Sequence, residues 1–225
     1  MISPRKIESE KRMMIDQCRK CKGIGCQACA GYCSYIDKMA EAGIPVDYWY
    51  RKMEDFYGDR NFKIAVMDYI DNIDREFSNG ITYCFTGERG RGKTMAACCI
   101  LKEALLSHRG YRAYYITLSD LITNVLGAQR NLLMHLKCYD FVVIDEVDQR
   151  FFPTQASMEL FGNQLENVLR GRMQNRMPTI ICTNSADTGQ IFGGEFKKSF
   201  DSLGSQFIKI LPASGRDARE GKEKL

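Results

Sequence analysis

The segment from Gly87 to Thr94 has the residue types and spacing of a phosphate-binding loop. It reads GERGRGKT, so two glycines separated by four residues are followed by lysine and threonine. A β-branched, apolar run precedes it and a helix-forming run follows, the setting in which backbone N–H groups bind phosphates. Lys93 would reach the β- and γ-phosphates of a nucleotide, and the Thr94 hydroxyl would hold Mg²⁺. An ordinary glycine turn before a helix is the alternative.

Two adjacent carboxylates, Asp145 and Glu146, directly follow the apolar run 141–144. Such a run predicts a buried parallel strand, whose carboxyl end faces the crevice where nucleotides bind. Asp145 would position Mg²⁺ through its water shell, and Glu146, on the other side of the strand, would activate the attacking water. Asn184 follows the predicted strand 179–183 and would hydrogen-bond that water and the γ-phosphate, although an asparagine turn after a strand has the same local sequence.

The predicted catalytic residues are therefore Lys93, Glu146 and Asn184. The loop, the start of its helix and one carboxylate make up the predicted nucleotide site: Gly87, Gly90, Arg91, Gly92, Lys93, Thr94, Met95 and Asp145. ATP and Mg²⁺ are the expected ligands, with Thr94 and Asp145 on the magnesium side.

Five of the ten cysteines lie within residues 18–33. Two C-x-x-C pairs, joined by four residues of which two are glycines, are formed by Cys18, Cys21, Cys26 and Cys29. Each pair can supply two thiolates from one tight turn, which suits tetrahedral Zn²⁺, and Cys33 is a substitute for one of the four. An iron–sulfur cluster uses the same kind of cysteine set, and five thiols without a metal are a further alternative.

Composition favours one α/β domain with a small appendage, because 225 residues are too few for two full domains. The net charge of +4 is spread along the chain and gives only weak support for nucleic-acid binding. The first residues lack the apolar core of a signal peptide, and no apolar run is long enough to span a bilayer. A cytoplasmic location is therefore expected.

The predicted segments are a flexible tail (1–17), a cysteine metal-binding knuckle (18–36), a linker (37–60), a nucleotide-binding core (61–212) and a charged tail (213–225). Within the core, helical spacing over 62–77 predicts an amphipathic helix that ends at Asn79-Gly80. Residues 112–117 are predicted to form a strand, and Ser119 is predicted to cap the next helix. The linker aromatics Tyr48, Trp49 and Tyr50 are expected to pack the linker onto the core rather than to stack on a nucleic-acid base.

The order of the loop, the Asp145-Glu146 pair and Asn184 resembles Walker A, Walker B and sensor 1 of an AAA+ ATPase. More narrowly, the chain resembles bacterial and phage helicase loaders of the DnaC/DnaI type and the related IstB transposition helpers. Four features carry this likeness: the cysteine knuckle, Gly43-Ile44-Pro45-x-x-Tyr48, Arg172 followed by Pro178-Thr179-Ile180, and Thr183-Asn184.

The resemblance implies a three-layer α/β core whose parallel sheet has strand order 5-1-4-3-2, with a minimal lid. It also implies a weak or partner-stimulated ATPase that loads or remodels a hexameric replicative helicase, binds single-stranded DNA and forms a homo-oligomer. An IstB-like transposition helper and a non-hydrolysing, ATP-dependent DNA-binding adaptor are the alternatives.

The chain departs from this family in its arginines. The segment where the family places an arginine finger, 192–205, contains none, and only 225 − 184 = 41 residues follow Asn184, too few for a full lid. Candidate replacements are the loop arginines Arg89 and Arg91 in cis, or Arg216 and Arg219 in the tail. A third group, which would be solvated or reach a neighbouring subunit's nucleotide, comprises Arg170, Arg172 and Arg176.

Overall fold

The computed structural model of the chain describes residues 2–126, 132–148, 165, 167–185 and 208–215. The chain forms two compact units, Met1–Arg51 and Lys52–Leu225, which are taken separately below. The predicted finger segment 192–205, the tail arginines and the space for a lid lie outside the described residues. None of the helices in the described ranges is long and apolar enough to cross a membrane.

Two helices pack against each other in the first unit: α1, Pro4–Asp16, and α2, Gln27–Glu41. A flexible tail or a poorly ordered helix was expected at residues 1–17, and α1 occupies most of this segment. Ser3 caps α1 by accepting a hydrogen bond from the Lys6 N–H at 3.3 Å, and a proline at the first turn suits a helix start. Glu10 is buried and pairs with Lys6 at 2.8 Å. The capped start and the packed face outweigh the charged composition.

Trp49 is fully buried in the structure, just after a 3-10 turn at Val46–Tyr48. Its indole N–H donates to the Ile44 carbonyl at 2.7 Å, and its own carbonyl accepts from the Tyr35 hydroxyl. Tyr50 donates to Glu10 at 3.3 Å. Trp49 is therefore a packing residue, because its ring has no exposed face on which a base could stack.

The second unit begins with a 3-10 turn at Met53–Asp55, and in the described ranges it contains the following helices and strands. The helices are α3 (Arg60–Asp71), α4 (Ile73–Asn79), α5 (Lys93–Leu106), α6 (Leu118–Leu126) and α7 (Leu132–Leu136). The strands are β1 (Thr82–Thr86), β2 (Ala113–Thr117), β3 (Phe141–Val147), β4 (Thr179–Thr183) and β5 (Ile208–Pro212). Residues 167–174 are helical as well.

The five strands form one parallel sheet in the order β2-β3-β4-β1-β5. This confirms the predicted order 5-1-4-3-2, which is the same arrangement seen from the other edge. Tyr83 pairs with Ile180 of β4, and Val143 of β3 pairs with the same residue. Because all strands run in one direction, the residues that follow β1, β3 and β4 lie at the same edge of the sheet.

Alternation along the strands separates the two faces of the sheet. On one face, Phe62 of α3 packs edge-on against Phe85 at 4.9 Å, and Tyr69 packs in the same way against Tyr83 at 4.8 Å. On the other face, a continuous apolar cluster joins the sheet to α6, α7 and the helical residues near 168: Cys84, Ile116, Leu118, Leu121, Leu136, Val142, Ile144, Val147, Leu165, Val168, Leu169 and Ile181. Helices on both faces give the expected three layers.

Three local predictions need correction. The helix expected over 62–77 is divided at Asn72 into α3 and α4, although Gly80 ends it in the left-handed conformation as predicted. The cap of α6 is Thr117, whose hydroxyl accepts from the Asp120 N–H at 3.1 Å, and not Ser119. β3 continues through both carboxylates to Val147, with an irregularity in its pairing to β4 between Ile144 and Val147.

Arg172 is fully buried, which corrects its prediction as a solvated or intersubunit arginine. Its Nε donates to the Thr179 hydroxyl at 2.9 Å. The other donors reach four main-chain carbonyls that precede β3 and β4: Leu136, Tyr139 at 2.7 Å, Asp140 at 3.2 Å and Pro178 at 2.7 Å. Burial lowers the Arg172 pKa to about 10. The side chain ties together the segments that enter two central strands, at the edge of the sheet opposite the phosphate loop.

Candidate functional site

The phosphate loop connects β1 to α5 through three glycines with positive φ. Gly87, Gly90 and Gly92 have φ of 126°, 79° and 81°. Gly92 is the N-cap residue of α5, and its carbonyl accepts from the Ala96 N–H at 3.0 Å. Residues with a Cβ rarely adopt such conformations, so glycine is required for this backbone path. The path ends at a helix N-terminus, where free N–H groups favour an anion.

Two of these glycines are also required because other parts of the core approach them closely. A Cβ on Gly87 would meet the Ala213 carbonyl, which follows β5, and a Cβ on Gly92 would meet the ring of Phe56. Ala213 is held there because its N–H donates to the Thr86 carbonyl at 2.8 Å. Segments from both ends of the second unit therefore pack against the loop.

Lys93 is buried at the first position of α5. Its Nζ donates to the carbonyls of Gly87 at 2.6 Å and Glu88 at 2.7 Å, and to Asn184 Oδ1 at 3.1 Å. Burial lowers the Lys93 pKa, and the Asp145 carboxylate partly opposes this shift. The structure thus brings together the predicted loop lysine and the polar residue predicted at the end of β4.

Asp145 is 3% exposed, and both of its carboxylate oxygens have hydrogen-bond donors. The Tyr115 hydroxyl donates to Oδ2 at 2.7 Å, and the Glu146 N–H donates to Oδ1 at 2.7 Å. Burial raises the Tyr115 pKa far above its usual range, and the neighbouring Asp145 charge adds to this shift. Sequence reasoning missed Tyr115, because nothing in the run AYYIT distinguishes it from Tyr114.

Glu146 has an exposed side chain and a φ of 55°, which is unusual for a residue with a Cβ. It lies where the pairing of β3 with β4 becomes irregular. Its neighbour Asp145 is buried, so the two carboxylates occupy different environments. A buried carboxylate beside the loop lysine and an exposed one next to it suit a metal-side acid and a water-activating base.

The remaining predicted loop residues are less buried. Arg91 forms an ion pair with Glu88 and donates to the Gly215 carbonyl beyond β5, so it contacts the protein rather than projecting freely toward a ligand. Thr94 and Met95 are half-buried in the first turn of α5, and Arg89 is exposed. Arg91 is therefore a link between the loop and the chain after β5.

In the first unit, the four cysteines of the two C-x-x-C pairs converge on one point. The sulfur atoms of Cys18, Cys21, Cys26 and Cys29 all lie within 4.8 Å of one another. Three of the separations are 3.9 Å, 3.5 Å and 3.7 Å. Sulfurs at the corners of a Zn²⁺ tetrahedron, each about 2.3 Å from the metal, are about 3.8 Å apart. The donor set and its spacing therefore fit zinc, and Cys33 is not one of the four.

The connection between the two cysteine pairs is built from left-handed residues. Lys22, Gly23 and Gly25 have φ of 49°, 88° and 95°. This turn lets the Gly25 N–H donate to the Cys21 sulfur at 3.3 Å. Main-chain N–H groups of Cys21 and Lys20 lower the Cys18 pKa to about 6. N–H donors aimed at sulfur favour thiolate, the form that binds metals.

Comparison with known protein families identifies the core. Residues 83–190 match the family model described as ATPase family associated with various cellular activities (AAA). This part of the chain is similar to the AAA ATPase family. The matched residues include the phosphate loop, both carboxylates and Asn184. No curated protein matches the sequence.

Solved structures share the fold of this core. The crystal structure of DnaI is 14% identical, with a TM-score of 0.59 over 78% of this chain and 94% of DnaI. The crystal structure of the DnaC helicase loader is 18% identical, with a TM-score of 0.59 over 76% of this chain and 100% of DnaC. The replication initiator DnaA, solved with AMPPCP and single-stranded DNA, is 17% identical, with a TM-score of 0.57 over 78% of this chain. The chain spans about half of that protein, with 53% covered.

Proposed function

We propose that the chain binds ATP with Mg²⁺ and hydrolyses it. The observation that carries this proposal is the contact between Asn184 and Lys93, 3.1 Å from Oδ1 to Nζ. It places the end of β4 at the phosphate loop, and β3, which carries Asp145, is the strand next to β4. The three motifs therefore meet at one edge of the sheet, as a phosphoryl-transfer site requires.

Each of these residues has a chemical task in hydrolysis. Lys93 would leave its carbonyl partners to neutralise the charge on the β- and γ-phosphates, and Thr94 and Asp145 would hold hydrated Mg²⁺. Glu146 takes a proton from the water that attacks the γ-phosphate, and Asn184 orients that water. Bound Mg²⁺ supplies charge stabilisation for the transferring phosphoryl group.

The variant Glu146→Gln tests hydrolysis. It should bind a fluorescent ATP analogue as the parent does but turn over ATP at least about 100-fold more slowly, since a positioned general base contributes about 10²–10⁴-fold. Glu103→Gln, in the last turns of α5, is the matched control and should keep parental turnover. Parental turnover in Glu146→Gln would remove this residue from the mechanism. Absence of ATP binding by the parent protein would refute the proposal as a whole.

We further infer that this ATPase loads or remodels a hexameric replicative helicase, binds single-stranded DNA and assembles with copies of itself. The fold shared with DnaC and DnaI over most of their chains supports this assignment, as does a four-cysteine unit ahead of the core. A cytoplasmic location belongs to the same proposal.

Co-purification from the native host with and without a slowly hydrolysed ATP analogue tests the partner. A hexameric helicase retained with the analogue, and released by Glu146→Gln only slowly, is the expected result. A transposase in its place would instead assign the chain to the transposition helpers. Stable binding to single-stranded DNA without any ATP turnover would identify a non-hydrolysing adaptor.

We also propose that the four-cysteine site holds Zn²⁺. The sulfur separations, close to those of a zinc tetrahedron, support this metal. Elemental analysis should find about one zinc per chain, and Cys26→Ser should lose it. Cys138→Ser, which replaces an exposed cysteine outside the cluster, should retain the zinc. Iron with visible absorption would show an iron–sulfur cluster instead.

A further inference from the structure

Tyr115 of β2 donates a hydrogen bond to Asp145, a predicted residue of the nucleotide site. It is 8% exposed, and its hydroxyl donates to Asp145 Oδ2 at 2.7 Å. The mechanism described above gives it no task. A buried hydroxyl donates its only proton to a carboxylate on the magnesium side of the site, so its role should concern that carboxylate.

The register of the sheet explains how this contact arises. Tyr115 pairs with Val143, and Thr117 pairs with Asp145, so Tyr115 is the diagonal neighbour of Asp145 on the same face. Diagonal neighbours are about 7–8 Å apart at their Cα atoms, which an aromatic side chain can span. Tyr114 belongs to the opposite face, where it packs against the apolar cluster and stacks on Tyr139 at 4.9 Å.

Asp145 is held at both oxygens, and the second contact reaches the base. Oδ2 accepts from Tyr115, and Oδ1 accepts from the Glu146 N–H at 2.7 Å. That N–H belongs to the residue whose φ of 55° turns its carboxylate away from the core. The orientation of the Asp145 carboxylate and the backbone conformation of Glu146 are thus fixed by one chain of contacts that begins at Tyr115.

We propose that Tyr115 is a positioning residue of the magnesium site. Its hydroxyl fixes the Asp145 carboxylate in the orientation that receives hydrated Mg²⁺ and, through Asp145, holds Glu146 in its exposed position. The proposal rests on the proposed ATPase function. It predicts that removal of one oxygen atom from Tyr115 weakens the binding of Mg²⁺ without weakening the binding of the nucleotide itself.

Tyr115→Phe and the matched control Tyr114→Phe test this. Each variant loses one hydroxyl from adjacent positions of the same strand, so the ring packing stays and only the contacted partner differs. Binding of a fluorescent ATP analogue is measured first without Mg²⁺ and then as Mg²⁺ is added. Loss of an outer contact to a metal-side ligand typically weakens the site about 10–100-fold. Tyr115→Phe should therefore need about tenfold more Mg²⁺ for half-maximal enhancement of binding, while Tyr114→Phe should match the parent.

Turnover supplies a second readout. At saturating Mg²⁺, Tyr115→Phe should keep the parental KM for ATP and lose about tenfold in kcat, because Glu146 is no longer held in position. A purely structural role would lower the unfolding temperature of Tyr115→Phe and leave its Mg²⁺ requirement at the parental value, which would overturn the proposal.

The parent protein separates failure of this proposal from failure of the proposed function. If the parent shows no Mg²⁺-dependent binding of the ATP analogue, the ATPase assignment fails. If the parent shows it and both variants need the parental concentration of Mg²⁺, the assignment stands and the role of Tyr115 is refuted.

Discussion

Replacing Arg172 with lysine should destabilise the second unit by about 3 kcal/mol. The guanidinium uses all five of its N–H donors within the protein, on three buried and two partly buried acceptors, and four of the acceptors are main-chain carbonyls. Lysine has three donors, so at least 5 − 3 = 2 of these acceptors lose their partner. A buried acceptor left without a partner costs about 1–3 kcal/mol, so the loss of two gives about 2–6 kcal/mol, and the partly buried carbonyls favour the lower part of that range.

Thermal unfolding followed by far-ultraviolet circular dichroism measures this effect. A loss of about 3 kcal/mol in a chain of this size lowers the unfolding temperature by about 6–12 °C. Arg176→Lys is the matched control, since Arg176 is exposed and its positive φ of 55° is equally accessible to lysine. It should unfold within about 2 °C of the parent.

Equal unfolding temperatures for Arg172→Lys and Arg176→Lys would refute this reasoning. They would mean that the carbonyls before β3 and β4 find other donors, so that the arginine is not what joins these segments. A large loss in both variants would instead assign the effect to the helical residues around them and not to the buried guanidinium.

Two further predictions concern the sites themselves. Gly92→Ala should lower the affinity for a fluorescent ATP analogue at least about tenfold, because the new Cβ would collide with the Phe56 ring and the φ of 81° disfavours alanine. Gly110 also has a positive φ but lies in open space, so Gly110→Ala should keep parental affinity and lose only about 1 kcal/mol of stability. Removal of the metal with a chelator should shift the fluorescence emission of Trp49, the only tryptophan, to longer wavelength. The reason is that Cys29 and Tyr35, which donates to the Trp49 carbonyl, both lie in α2. Unchanged emission with the zinc fully removed would contradict this prediction.

The phosphate loop and the fold were predictable because their signals are local. Gly87 to Thr94 are consecutive, and the flanking runs show which residues form strand and helix. Parallel strands place their carboxyl ends at one edge, so the motifs after β3 and β4 had to approach the loop once the strand order was known. The cysteine cluster was predictable for the same reason, since each C-x-x-C pair lies in one short turn.

Tyr115 and Arg172 were not predictable, because their environments depend on distant parts of the chain. Which of two adjacent tyrosines faces Asp145 is set by the register between β2 and β3, and no local signal fixes that register. An arginine near a helix end is ordinarily solvated, and its burial here requires carbonyls from two other segments. The start of α1 was different: Ser3 and Pro4 are a local helix-start signal that the charged composition obscured.

The packing of Gly87 against Ala213 and of Gly92 against Phe56 has a consequence for the order in which the protein matures. In the folded chain the phosphate loop packs against residues from near the beginning and near the end of the second unit. Contacts so distant in sequence form late, because closing long loops costs chain entropy before any packing is gained. During synthesis, a ribosome-bound chain that stops before β5 should lack ATP affinity even with its entire loop sequence exposed, so the first binding of ATP would mark the completion of folding.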